Sequence, residues 1–141
     1  MMHLKTKIES WEEFYKEQIG NNVESQLIEL SEKIVHFIKT KIGLDDSAFC
    51  LVPKSFTAYT KANTKREVFA NVIFNQQSIK LETLYGGIRS RSSNSRILEK
   101  KSHVLNEFTL FEVADFTEDV KSFLVNSYAA ISDGKYDFLC R

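Results

Sequence analysis

A chain of 141 residues with 19 basic and 19 acidic side chains has no formal net charge, which removes overall charge as an argument for a generic polyanion binder. Its length is that of one domain, 1–141, and 43% hydrophobic with 27% charged residues is ordinary for a globular protein. Cys50 and Cys140 are too few for a disulfide framework, Met1-Met2-His3-Leu4 lacks the apolar stretch of a secretion signal, and no apolar run approaches bilayer length. The expectation is a cytoplasmic protein with free thiols and no membrane contact.

Ser10-Trp11-Glu12-Glu13 matches a capping box, with the Ser hydroxyl on the Glu13 N–H and the Glu13 carboxylate on the Ser10 N–H. It predicts a short helix to about Gln18, broken by Gly20-Asn21-Asn22. Val23, Leu27, Leu30, Ile34, Phe37 or Ile38, and Ile42 recur every three or four residues, one apolar face of a longer helix that Gly43 ends.

Strands follow. Phe49–Val52 runs into Pro53, which cannot donate to a ladder, so it belongs at a sheet edge. Ser55–Tyr59 alternates, and Val68–Phe74 and Ile79–Leu84 are rich in β-branched and aromatic residues. The short connection between the last two predicts an antiparallel hairpin, with Ile79, Leu81 and Thr83 on one face of its second strand and Lys80 and Glu82 on the other. After Tyr85-Gly86-Gly87, the serine- and arginine-rich stretch to Arg96 reads as an exposed loop. Residues 97–106 suggest a turn of helix, and residues 108–113 a central strand. Thr117 is the N-cap candidate for a terminal helix with Val120, Phe123, Leu124, Tyr128 or Ser127, and Ile131 inward, and residues 136–139 form an apolar tail that docks on the core. Eleven Phe and five Tyr point to an aromatic core. Grouped strands with helices at both ends predict an α+β, two-layer domain: an antiparallel sheet of about four or five strands on a long N-terminal helix and a C-terminal helix.

The segments Phe56-Thr57-Ala58-Tyr59, Phe69-Ala70-Asn71-Val72 and Ile79-Lys80-Leu81 resemble a small bacterial and archaeal domain family of uncharacterised function. Lys101-Ser102-His103, a strand over 107–113 and a helix over 119–128 sit in similar places. Some members are labelled predicted transport proteins, and some lie at the end of restriction or DNA-modification-like chains. The resemblance spans residues 23–131 and rests on hydrophobic, structural motifs. It implies the α+β fold and a nucleic-acid-processing context, and it supplies no catalytic residue. The chain departs from the pattern over 86–101, where a Gly-His-Trp-like step is missing.

Arg89, Arg91, Arg96, Lys100 and Lys101 against Glu99 give a local net of +4. Arginines spaced by serines above a glycine base suit bidentate phosphate contacts, and Tyr85 could stack on a base. Lys61, Lys65 and Arg66 would extend the patch if both loops share one end of the sheet. The competing reading is a solvated loop. His3, His36 and His103 lack metal-ligand spacing, so no metal or cofactor is expected. No Gly-x-Ser-x-Gly elbow or phosphate loop occurs, Lys80-Leu81-Glu82 reverses a nuclease Glu-x-Lys pair, and Glu99-Lys100-Lys101 carries the spacing outside the convincing strands. No catalytic residue is assigned. The leading expectation is therefore a non-enzymatic binding module for nucleic acid or a protein partner that processes it. Two alternatives remain: a metal-assisted hydrolase in which Glu82 and Glu112 converge across adjacent strands, and a homodimer paired through the edge strand Phe49–Val52.

Overall fold

A computed structural model describes residues 8–60, 68–84, 95–100 and 103–133, except for the side chains of Lys100 and His103. Helix α1 (Trp11–Gly20) begins at Ser10, whose Oγ accepts from the Glu13 N–H at 3.1 Å. The return arm of the cap lands one residue earlier than a capping box expects: Glu13 Oε1 accepts from the Glu9 N–H at 3.2 Å. Helix α2 (Ser25–Phe37) buries Leu27, Leu30, Ile34 and Val35. It continues into one π-helical turn, Ile38–Ile42, and stops at Gly43, left-handed at φ 89°. Helix α3 (Glu118–Ser132) is capped by Thr117, whose Oγ1 accepts from the Val120 N–H at 3.4 Å. Glu118 and Asp119 occupy its first turn, where the helix dipole favours negative charge. Among the described residues no helix is long and apolar enough to cross a membrane.

Strands β1 (Phe49–Val52), β2 (Ser55–Tyr59), β3 (Val68–Phe74), β4 (Ile79–Leu84), β5 (Ser95–Lys100) and β6 (His103–Leu110) form one sheet. Its order is β1-β2-β3-β4-β6-β5, with every neighbouring pair antiparallel. The α+β class holds, and the sheet has six strands where four or five were expected. The sixth comes from residues 95–106, whose expected loop and helical turn are instead β5 and the start of β6, with Lys100 opposite His103. The strand expected over 108–113 ends at Leu110, and Val113–Asp115 is a 3-10 turn. The expected apolar tail over 136–139 lies outside the described residues.

The helices pack on one face of the sheet. Phe49, Phe56, Val72, Phe74, Ile79, Leu81 and Phe108 point to that side and share a core with Phe14, Leu27, Leu30, Ile34 and Leu124. Rings meet edge to face across the layer: Trp11 with Phe56 at 5.0 Å, Phe14 with Phe74 at 5.4 Å, Phe108 with Phe123 at 5.5 Å. Such pairs add about 0.5–1.5 kcal/mol each beyond the area they bury. Tyr15 lies against this cluster with its hydroxyl 3.0 Å from Ser31 Oγ, and burial pushes it up to about 12. Gln18 is buried too, its amide donating to the Phe14 and Pro53 carbonyls at 3.2 and 2.7 Å and pinning α1 to the β1–β2 turn.

One irregularity shapes the other face. Ala58 pairs with Ala70 but Tyr59 with Val68, so Phe69 is an extra, bulged residue. Phe69 is fully buried against Tyr128 of α3, ring centres 5.3 Å apart. Val68 joins a separate cluster with Leu105, Tyr59 and Leu98, in which no helix residue takes part.

Thr83 Oγ1 is the one buried side-chain polar atom among the described residues without a hydrogen-bond partner. An unsatisfied buried hydroxyl costs free energy that a methyl of the same shape would not. Thr83→Val should therefore raise stability by about 1 kcal/mol, read as a melting-temperature increase of about 3 °C for a domain of this size. A lower melting temperature would contradict the assignment.

Candidate functional site

The candidate site is the face of the sheet opposite α1, α2 and α3, where backbone register alone aligns one residue from each of the six described strands. Cys50 lies opposite Thr57, Thr57 opposite Asn71, Asn71 opposite Glu82, Glu82 opposite Glu107, and Glu107 opposite Arg96. Five of the six are polar, and their side chains link laterally. Thr57 Oγ1 donates to Asn71 Oδ1 at 2.8 Å, which turns the Asn71 amide nitrogen toward Glu82 Oε1 at 3.5 Å. Arg96 Nε donates to Glu107 Oε1 at 2.8 Å. Lys80, two residues from Glu82 and so in the next row of the same face, approaches the same Oε1 at 3.7 Å while donating to Thr109 Oγ1 at 2.8 Å.

Glu82 is 3% and Glu107 6% exposed. Two carboxylates facing each other across adjacent strands repel and are expensive to bury. The Asn71 amide on Glu82, and Lys80 and Arg96 on Glu107, offset that cost. Of these four ionisable side chains, two are acidic and two basic.

This geometry revises several sequence expectations. Arg96 sits not in a loop but on β5, an edge of the sheet, and its guanidinium is already engaged by Glu107 although its side chain is 66% exposed. Lys100 is on β5 as well, and so is Glu99, so the Glu-x-Lys spacing starts inside a strand. Glu82 and Glu112 do not converge: the residue opposite Glu82 is Glu107. Glu112 lies beyond β6, at the start of the turn Val113–Asp115, where its N–H donates to Asp115 Oδ2 at 3.3 Å. Tyr85, Arg89, Arg91 and Lys101 lie outside the described residues, as do Lys61, Lys65 and Arg66. Among the described residues no three His, Cys, Asp or Glu side chains could share a metal ion. Sequence reasoning missed Thr57, Asn71 and Glu107. The available signal was the β3–β4 hairpin, which sets Asn71 opposite Glu82 once its short turn is accepted.

A second concavity lies at the β1 edge, where the Ile8 N–H donates to the Leu51 carbonyl at 3.0 Å and occupies part of the edge expected to pair between copies. It encloses about 360 Å³ between Ile8, Trp11, Asp46, Phe49 and Leu51. Its polar groups are committed to the fold. Asp46 accepts from the Trp11 indole at 3.1 Å and pairs with Lys39, which holds its carboxyl below the usual range. Ser47 donates to Asp45, and that bond holds the Asp45 carboxyl low in turn. These bonds tie α1, the π turn and the 3-10 turn (Asp46–Ala48) together and leave the transverse row as the stronger site.

Comparison of the chain with protein-family models, curated proteins and solved structures finds no match.

Proposed function

We propose that this chain is a non-enzymatic binding module that takes nucleic acid at the β5–β6 end of the sheet face opposite α1, α2 and α3. The observation that carries the reading is the position of Lys80 and Arg96: both stand on that face toward the β5 edge, 32% and 66% exposed at their side chains. The sequence adds Lys100 at the end of β5, and Arg89, Arg91 and Lys101 to the segments that flank it. A protein partner at a nucleic acid would fit the same surface, and the resemblance to domains at the ends of restriction-like chains supports that context. Against an acid–base or metal-assisted mechanism, the two carboxylates on the face are buried and held by cations and an amide.

Fluorescence anisotropy with labelled single- and double-stranded oligonucleotides tests the reading at about 50 and 200 mM salt, since phosphate contacts weaken steeply over that range. Reversing Arg89 and Arg91 to Glu together should weaken binding by about tenfold or more at the lower salt. Unchanged affinity in that variant, or no binding by the native protein, would overturn it.

A further inference from the structure

The Arg96–Glu107–Lys80 cluster has the form of an anion site already filled from within. Two cations from different strands converge on one oxygen, Glu107 Oε1, at 2.8 Å from Arg96 Nε and 3.7 Å from Lys80 Nζ. The carboxylate is almost wholly buried, and Arg96 stays open to solvent along most of its length. A guanidinium and an ammonium converging on one oxygen suit a phosphate oxygen as well as a carboxylate. What decides between them is competition: an external anion gains only what the internal one gives up.

We propose that Lys80 and Arg96 form a phosphate-binding pair for which Glu107 is the built-in competitor, so that Glu107 sets how tightly the face holds a phosphate group. This rests on the binding reading above and adds the residue that limits it. The Arg96 end of the pair is open to solvent, which screens its hold on Glu107, and the long side chain loses freedom in making that contact. A phosphodiester backbone presents many phosphates along its length, and neutralising several at once releases counterions. A polyanion can therefore displace Glu107 from Arg96 where a single small anion at low concentration does not. Once Arg96 has turned to the phosphate, Glu107 still shares the Lys80 ammonium with it, and with Glu82 opposite it would still repel a phosphate. Its charge thus works against binding in both states.

The test is Glu107→Gln, which keeps shape and removes the charge. In the anisotropy assay at 50 mM salt, Glu107→Gln should bind the oligonucleotide about tenfold more tightly than the native protein, since one opposing charge next to the site is gone. Adding Arg96→Gln should erase that gain. Equal affinity of native protein and Glu107→Gln overturns the inference and leaves the binding reading standing. If neither protein binds the oligonucleotide, the binding reading fails, and titration with inorganic pyrophosphate followed at the Arg96 Nε–H NMR signal decides the inference alone. A saturable shift in Glu107→Gln with at least several-fold weaker response in the native protein supports it; no shift, or equal shifts, overturns it. Should Glu107→Gln not fold, judged by its near-ultraviolet circular dichroism, Glu107→Asp withdraws the carboxylate by one methylene and should give the same ordering with a smaller gain.

Discussion

Phe56→Ala should cost about 3–5 kcal/mol, the range for removing a fully buried aromatic side chain, out of a total stability of about 5–15 kcal/mol for a domain. Phe56 is 0% exposed and sits at the centre of the N-terminal aromatic cluster. Its ring meets Trp11 at 5.0 Å and both Phe14 and Phe49 at 5.9 Å, each edge to face. Those neighbours come from α1 and β1, so a cavity there loosens the contact that docks the first helix on the sheet edge. Trp11 is the chain's single tryptophan and touches Phe56 directly, so its fluorescence during urea unfolding reads the loss where it occurs. Val125→Ala, at 41% exposure on the outer side of α3, should change the midpoint by less than the equivalent of about 0.5 kcal/mol. A Phe56→Ala midpoint as close to native as that of Val125→Ala would contradict the packing described for α1.

The elements legible in the sequence are those whose reasons are local. Ser10 and Thr117 cap helices because a hydroxyl three residues before a free N–H is enough to satisfy it. The α2 face shows because Leu27, Leu30 and Ile34 repeat at helical spacing, and Gly43 ends it because only glycine takes that φ without strain. The β3–β4 hairpin shows because its turn is short and both arms are apolar. The β5–β6 hairpin was hidden for the opposite reason. Ser95 and Arg96 read as loop and Glu99, Lys100, His103 and Asn106 as part of a helical turn by composition, and strand propensity is mostly a statement about neighbours across the sheet. Arg96 becomes a good strand residue only because Glu107 is opposite, and Glu107 only because Lys80 and Arg96 neutralise it. None of that is visible within a window of a few residues.

The same logic explains why half of the candidate site escaped notice. Thr57, Asn71, Glu82 and Glu107 are spread over fifty residues and meet only through register. Read singly, each is an ordinary polar residue on the outer face of a strand. Arg96 stands out in the sequence by its charge and reads as a loop residue; in the fold it closes the row. The bulge at Phe69 is another such case. A continuous apolar run, Val68-Phe69-Ala70, gives no hint that Val68 and Phe69 serve different faces until the pairing of Tyr59 with Val68 is known.

Ser127→Ala should destabilise the protein by about 2–4 kcal/mol, a large effect for one oxygen atom. Ser127 lies on the inner side of α3 and is 2% exposed. Its Oγ accepts from the Leu84 N–H at 3.0 Å and donates to the Phe69 carbonyl at 2.7 Å. The bulge at Phe69 takes that carbonyl out of the regular ladder, and Leu84 is the last residue of β4, so these two backbone groups lie where ladder bonding is disrupted or ends. The hydroxyl satisfies both and fixes α3 to β3 and β4. Alanine leaves a buried donor and a buried acceptor bare together, at about 1–2 kcal/mol each. Ser122→Ala provides the control on the same helix: Ser122 is exposed and its hydroxyl returns only to the Asp119 carbonyl of its own turn at 2.6 Å. Alanine's higher helix propensity should leave that variant within about 0.5 kcal/mol of native or slightly more stable. Hydrogen exchange adds a local readout, because the Leu84 amide should be protected in the native protein and in Ser122→Ala and exchange markedly faster in Ser127→Ala. A Ser127→Ala protein with native stability and a protected Leu84 amide would mean that α3 is held by its apolar face alone.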